Sequence, residues 1–133
     1  MQGSRKTNRR GAVVVEFAFT APLVFLLLFG ALELGHANMV FHVTEAAAYE
    51  GAREGIVPGA SRDEVEAAVD RILQISNVRG ATIEVIPADL NVLSNSIQVN
   101  IGVPYQQNTL IPPFFTQGLV IERGCKLTRE EGF

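Results

Sequence analysis

The sequence holds little of what catalysis or covalent stabilisation usually needs. It has one cysteine, Cys125, so no disulfide can close within the chain and no paired-thiolate metal site can form. Cys125 reads as a small packed residue, with an intermolecular pair still open in an oxidising space. There is no tryptophan, no Asn-x-Ser/Thr sequon, no G-x-S-x-G turn, no phosphate-cradling P-loop and no dinucleotide fingerprint. Of the two histidines, His36 follows Glu33 at i+3, giving one E-x-x-H. Di-iron bundles need two such pairs and two further glutamates on facing helices. His42 and Glu45 are likewise three apart and fit a solvated helix face. Ser61 opens a helix and is no nucleophile. The expected chain is therefore not an enzyme, with no cofactor, no metal and no small-molecule substrate.

Charge of one sign is also missing from the N-terminal end of the molecule. Arg5, Lys6, Arg9 and Arg10 precede residue 11 with no acidic residue among them. The rest of the chain carries seven basic against fourteen acidic side chains, a formal balance of −7. A basic arm can bind nucleic acid, but this one abuts an apolar run, where positive charge sets membrane orientation instead. No nucleic-acid partner is expected.

What the chain does have is that run. Ala12 to Leu32 reads AVVVEFAFTAPLVFLLLFGAL, 21 residues with Glu16 as the one charge. At 1.5 Å per residue a helix of that length covers about 31 Å, the thickness of a bilayer's hydrocarbon core. A secretory signal peptide is the competing reading, but its apolar region is shorter and ends at a small-residue cleavage site. Glu33-Leu34-Gly35-His36 offers none. The segment reads as a single-pass anchor with its basic N-terminus in the cytoplasm and the later residues exported. Two residues interrupt its apolar character. Pro22 removes a backbone hydrogen bond and is either tolerated or a kink. Glu16 places a carboxylate near the membrane, where it reaches the interface close to the helix start or has a partner.

A basic cluster, then Gly11, then an apolar run whose fifth residue is Glu16 resembles the processing site of type IV prepilins. That resemblance implies cleavage between Gly11 and Ala12 by a prepilin peptidase, with Glu16 as counter-charge to the new amino group of Ala12. EFAFTAPLVFLLLFGALELG further resembles the N-terminal signature of TadE-like proteins, the minor pilins or pseudopilins of tight-adherence (Flp-type) pilus systems. The matching features are Glu16-Phe17-Ala18, Pro22 before a Leu/Phe-rich stretch, Gly30 and Glu33. EAAAYEGAREGIVPGAS, residues 45–61, and Leu127-Thr128-Arg129-Glu130 have the same look. The resemblance implies a structural subunit in a bacterial inner membrane, exported side periplasmic. Its partners would be the membrane, other pilins or pseudopilins, the prepilin peptidase and the pilus assembly platform. The alternative class is an uncleaved membrane-anchored binding or sensor module.

Beyond the anchor the helix is expected to run on as a stalk to about residue 54, through Met39, Val40, Val43, Ala46, Ala47 and Tyr49, and to stop at Gly51, Gly55 and Pro58-Gly59. Ser61-Arg62-Asp63-Glu64 reads as a capping box opening an amphipathic helix over 62–77, with Val65, Ala68, Val69 and Ile72 on one face. Strand alternation follows at Thr82–Val85 and at Ser96–Val103, joined by a turn from Asp89 to Asn95, and a third strand starts at Leu119 and runs to about Leu127. Tyr105 to Thr116 reads as a loop whose Phe114 and Phe115 close the sheet's open face, with binding of a partner as the alternative. The expected fold is α+β in three parts. These are a cleaved leader (1–11), a transmembrane helix and stalk (12–54), and a small exported unit (55–133) with a helix on an antiparallel sheet of about three strands.

Overall fold

A computed structural model describes residues 7–88, 90 and 95–129. One helix, α1 (Thr7–Gly55), runs for 49 residues, about 73 Å at helical rise. Pro22 lies inside it without ending it. The helix α2 (Arg62–Ile75) follows, then β1 (Thr82–Ile86), β2 (Ser96–Pro104), a short 3₁₀ turn η1 (Tyr105–Gln107) and β3 (Val120–Thr128). The expected α+β architecture is present, with one long apolar helix and three antiparallel strands in the order β1-β2-β3. Most of the expected Asp89–Asn95 turn lies outside the described residues, as do Arg5, Lys6 and Glu130.

α1 changes character along its length. From Arg10 to Phe29 no residue is buried. From Gly30 onward a stripe of buried positions appears at Gly30, Glu33, Ala37, Val40, Thr44, Ala47, Ala48, Gly51, Ala52 and Gly55. Steps of three and four residues keep these positions on one face. The residues are small, so other elements can come close to the helix backbone. A Cβ placed on Gly51 would lie 2.5 Å from Val69 Cγ2 of α2 and 3.5 Å from Val99 Cγ1 of β2. The small-residue end of α1 is thus the seat of the α+β unit.

The sheet turns its inner face to this stripe. Ile97, Val99, Ile101 and Val103 of β2 are buried and alternate with half-exposed residues, as the pattern requires. Val99 pairs with Val85 on one side and Cys125 on the other. The sequence pattern expects the amphipathic helix to cover the sheet. In the structure β2 and β3 contact α1 extensively, while α2 packs chiefly along α1 and adds Val65, Val69 and Leu73 to the same core. Arg123 occupies an inward position of β3, where its guanidinium sits 3.6 Å above the Phe41 ring of α1.

α2 is delimited by its own chemistry. The Ser61 N–H donates to Glu64 Oε2 at 2.7 Å and the Glu64 N–H donates to Ser61 Oγ at 3.3 Å, completing the capping box. The Ser61 N–H, and then the Ser61 hydroxyl donating to the same Oε2 at 2.9 Å, hold the Glu64 carboxyl below its ordinary value. At the other end Asn77 adopts φ 55°, and Val78 N–H donates to the Leu73 carbonyl at 2.8 Å while Asn77 N–H donates to Gln74 at 3.0 Å. This is a Schellman closure with asparagine in the left-handed position, which is why the helix stops short of residue 77.

Gly51→Leu is expected to cost about 1–3 kcal/mol, because the added side chain must displace the stiff Val69 side chain in a packed core. Gly35→Ala makes the control: a Cβ there meets nothing within 4 Å, so the change should stabilise the helix by up to about 1 kcal/mol. Urea unfolding of the detergent-solubilised chain, followed by circular dichroism, checks both signs.

Candidate functional site

Two regions of α1 carry the residues that bear on function. The first is its exposed N-terminal half. Gly11 and Ala12 lie within the helix and are exposed, and a Cβ on Gly11 would meet nothing within 4 Å. Glu16 is exposed one turn further on, with the Thr20 hydroxyl donating to its backbone carbonyl at 2.7 Å. Among the described residues no ion pair involves Glu16. Around these positions Val13, Val14, Phe17, Phe19, Leu23 and Phe25 are all more than half exposed. This helix is long and apolar enough to cross a membrane, and none of its most apolar window is buried in the chain's own fold. It has the length and surface of a membrane anchor.

The second region was only partly legible in the sequence. Glu33 is the first residue past the apolar span, yet it is 1% exposed. Its carboxylate accepts from three successive backbone amides, Phe114 at 3.1 Å, Phe115 at 3.0 Å and Thr116 at 2.7 Å, and from the Thr116 hydroxyl. A run of amides converging on one oxygen pair is a backbone nest for an anion. Burial pushes the Glu33 carboxyl up, but the bonds from Thr116, Phe114 and Phe115 together outweigh it and hold the group below its ordinary value.

Tyr105 closes the same corner. It is 1% exposed, and its hydroxyl donates to the Glu33 backbone carbonyl at 3.0 Å. That commits the phenol proton, so His36 Nδ1, 3.2 Å from the same oxygen, is the donor of the second contact. Burial, and then the Glu33 charge, raise the Tyr105 hydroxyl above its ordinary value. The phenol therefore stays protonated and keeps donating.

Two expectations are corrected here. The segment after β2 is not loop throughout: Tyr105 begins a 3₁₀ turn and is a core residue, because its ring fills the space beside α1. Nor do Phe114 and Phe115 close the sheet's open face. They are 72% and 59% exposed, and Phe115 lies against α1 at Gly30, where its Cε2 is 3.1 Å from the site a Cβ would occupy. The Glu33 nest draws the turn to the helix and away from the sheet.

Other candidates are dispersed. His42 and Glu45 approach to 3.5 Å on a well-exposed face of α1. Among the described residues no three His, Cys, Asp or Glu side chains converge. Cys125 is half-buried on β3, and burial pushes its thiol up, away from the reactive thiolate. The arrangement as a whole does mechanical work: it fixes a small domain to a long helix at the height where the apolar span ends.

Residues 11–53 match the family model described as TadE-like protein. No curated protein and no solved structure matches the chain. The family match starts at the glycine of the leader motif and stops just before the end of α1, so it covers the exposed span and the seat of the domain but neither α2 nor the sheet.

Proposed function

We propose that this chain is a minor pilin or pseudopilin, a structural subunit used in assembling a tight-adherence pilus and without chemistry of its own. The observation that carries the reading is the TadE-like match over residues 11–53, which coincides with an apolar helix that the fold leaves uncovered. On this reading the helix is held in the inner membrane with its basic end in the cytoplasm and the α+β unit in the periplasm. A prepilin peptidase cuts after Gly11, and the same apolar surface then packs against the helices of other pilins at the assembly platform. Membrane and neighbouring pilins are thus alternative coverings for one surface, which suits a helix that nothing among the described residues covers.

Cleavage is tested by the intact mass of the membrane-extracted protein from cells with an active prepilin peptidase. The expected species begins at Ala12. Gly11→Ala should accumulate almost entirely as precursor. Because a methyl group at residue 11 meets nothing and alanine favours helix, loss of processing would report recognition by the peptidase and not misfolding. A wild-type mass that still begins at Met1 would remove the processing claim and favour the uncleaved binding or sensor module. Mature protein from Gly11→Ala would show the cut lies elsewhere.

A further inference from the structure

We propose that the Phe114–Phe115 turn is a second membrane contact, an aromatic foot that Glu33 pins against α1 so that both rings enter the bilayer surface beside the span. The inference rests on the reading that α1 crosses the bilayer, and it concerns a part of the chain outside the TadE-like match.

Position is the first argument. Phe115 lies on α1 at Gly30, about 4.5 Å inward of Glu33 along the helix axis at 1.5 Å per residue. The apolar run continues to Leu32, so this ring lies at the depth of the run's last turn. Any bilayer that covers Ala12 to Leu32 therefore covers Phe115 as well, and Phe114 is its neighbour on the same turn.

Composition is the second. Residues 90–121 contain no charged side chain, in a chain that is 19% charged overall. The turn that carries the rings has proline on its approach, Pro112-Pro113, and is braced by Gln117 Nε2 donating to the Pro113 carbonyl at 3.0 Å. A charge-free, braced turn with two outward rings suits the boundary between headgroups and acyl chains, where aromatic side chains collect.

The third argument is what Glu33 does there. Backbone amides brought to the edge of hydrocarbon must find acceptors, since lipid supplies none. The amides of residues 114–116 are all satisfied by the one carboxylate, and the carboxylate is satisfied by them. An acid at the membrane boundary and a turn entering that boundary remove each other's desolvation cost. A partner protein could cover two phenylalanines equally well, but it would have no need of their coinciding in depth with the span.

The absence of tryptophan makes the test direct. Phe114→Trp is introduced into the full chain and reconstituted in phosphatidylcholine vesicles whose acyl chains are brominated near the headgroup. Leu27→Trp serves as the span control and Ile86→Trp, on the outer strand of the sheet, as the aqueous control. The expected result is blue-shifted emission and loss of most intensity for Phe114→Trp and Leu27→Trp, with neither change for Ile86→Trp. Quenching of Leu27→Trp but not of Phe114→Trp would overturn the foot and leave the span standing. Quenching of neither would overturn both. A blue shift at 114 without quenching would mean that protein covers the ring, and would also overturn the proposal. Phe115→Trp gives an independent readout should the first variant fold poorly. Adding Glu33→Ala to Phe114→Trp should lose the quenching; if quenching persists, Glu33 does not place the turn.

Discussion

Glu33→Ala is expected to detach the Phe114–Thr116 turn from α1 and to expose its amides to exchange. The substitution removes the acceptor of three backbone N–H groups and of the Thr116 hydroxyl at once. A single hydrogen bond to a charged group is worth enough to change an opening equilibrium about tenfold or more, so amide exchange at Phe114, Phe115 and Thr116 should rise by at least that factor. The Tyr105 contact goes to the Glu33 backbone carbonyl and not to its side chain, so η1 should keep its protection. This contrast is the check on the assignment: hydrogen exchange that rises throughout the domain would signal general unfolding, while unchanged exchange at residues 114–116 would refute the nest. Glu33→Gln should fall between, since the amide retains one carbonyl oxygen but no charge.

The same site sets a pH dependence whose sign follows from the direction of the shift. The folded carboxyl is held below its ordinary value, so the nest contributes fully above the ordinary carboxylate range. It is lost progressively as the pH falls from that range through the lower, folded value. Protection of the turn should therefore begin to fall as the pH enters the ordinary carboxylate range, and should be gone below the folded value.

The parts of the fold that were legible in the sequence are those fixed by neighbours in the chain. Ser61 and Glu64 are three residues apart and make their reciprocal bonds within one turn. The alternation from Ile97 to Val103 reports a half-buried strand because period two is a property of the strand itself. The anchor was readable for the same reason, as a continuous run. Glu33 shows where such reading ends. Its position at the close of the span and its likeness to a family feature are visible in the sequence, yet its partners are 81 to 83 residues away and are backbone amides, which carry no side-chain signature. Tyr105 likewise reads as loop, since nothing near it in sequence says that α1 passes overhead. Arg123 is the opposite case. An arginine at an inward strand position looks like a break in pattern, and only the Phe41 ring beneath it explains the choice.

Glu16→Ala separates anchoring from assembly, and it should move them in opposite directions. For the anchor, removing a carboxylate from an apolar helix relieves a cost on the order of 2.5–3.5 kcal/mol at the bilayer centre, less near the interface, and alanine is the better helix former. Membrane insertion should therefore be unchanged or improved, and the Gly11–Ala12 bond should still be cut. Assembly should fail, with the mature chain recovered from the membrane but missing from the pilus-associated fraction. On the proposed function, cleavage leaves a positive amino group on Ala12, and without Glu16 that charge loses its partner as the helix leaves lipid for a bundle of apolar helices. Glu16→Gln should fail similarly, because it retains size and polarity but not charge. Normal recovery of Glu16→Ala in the assembled fraction would refute the counter-charge role. Glu16 and Glu33 thus differ in a way that their sequence context alone does not reveal. Glu33 is satisfied by its own chain and stabilises a fold, whereas Glu16 is exposed and meets no positive group among the described residues. On the proposed function, a carboxylate in an apolar surface with no ion-pair partner among the described residues suits a partner acquired after processing.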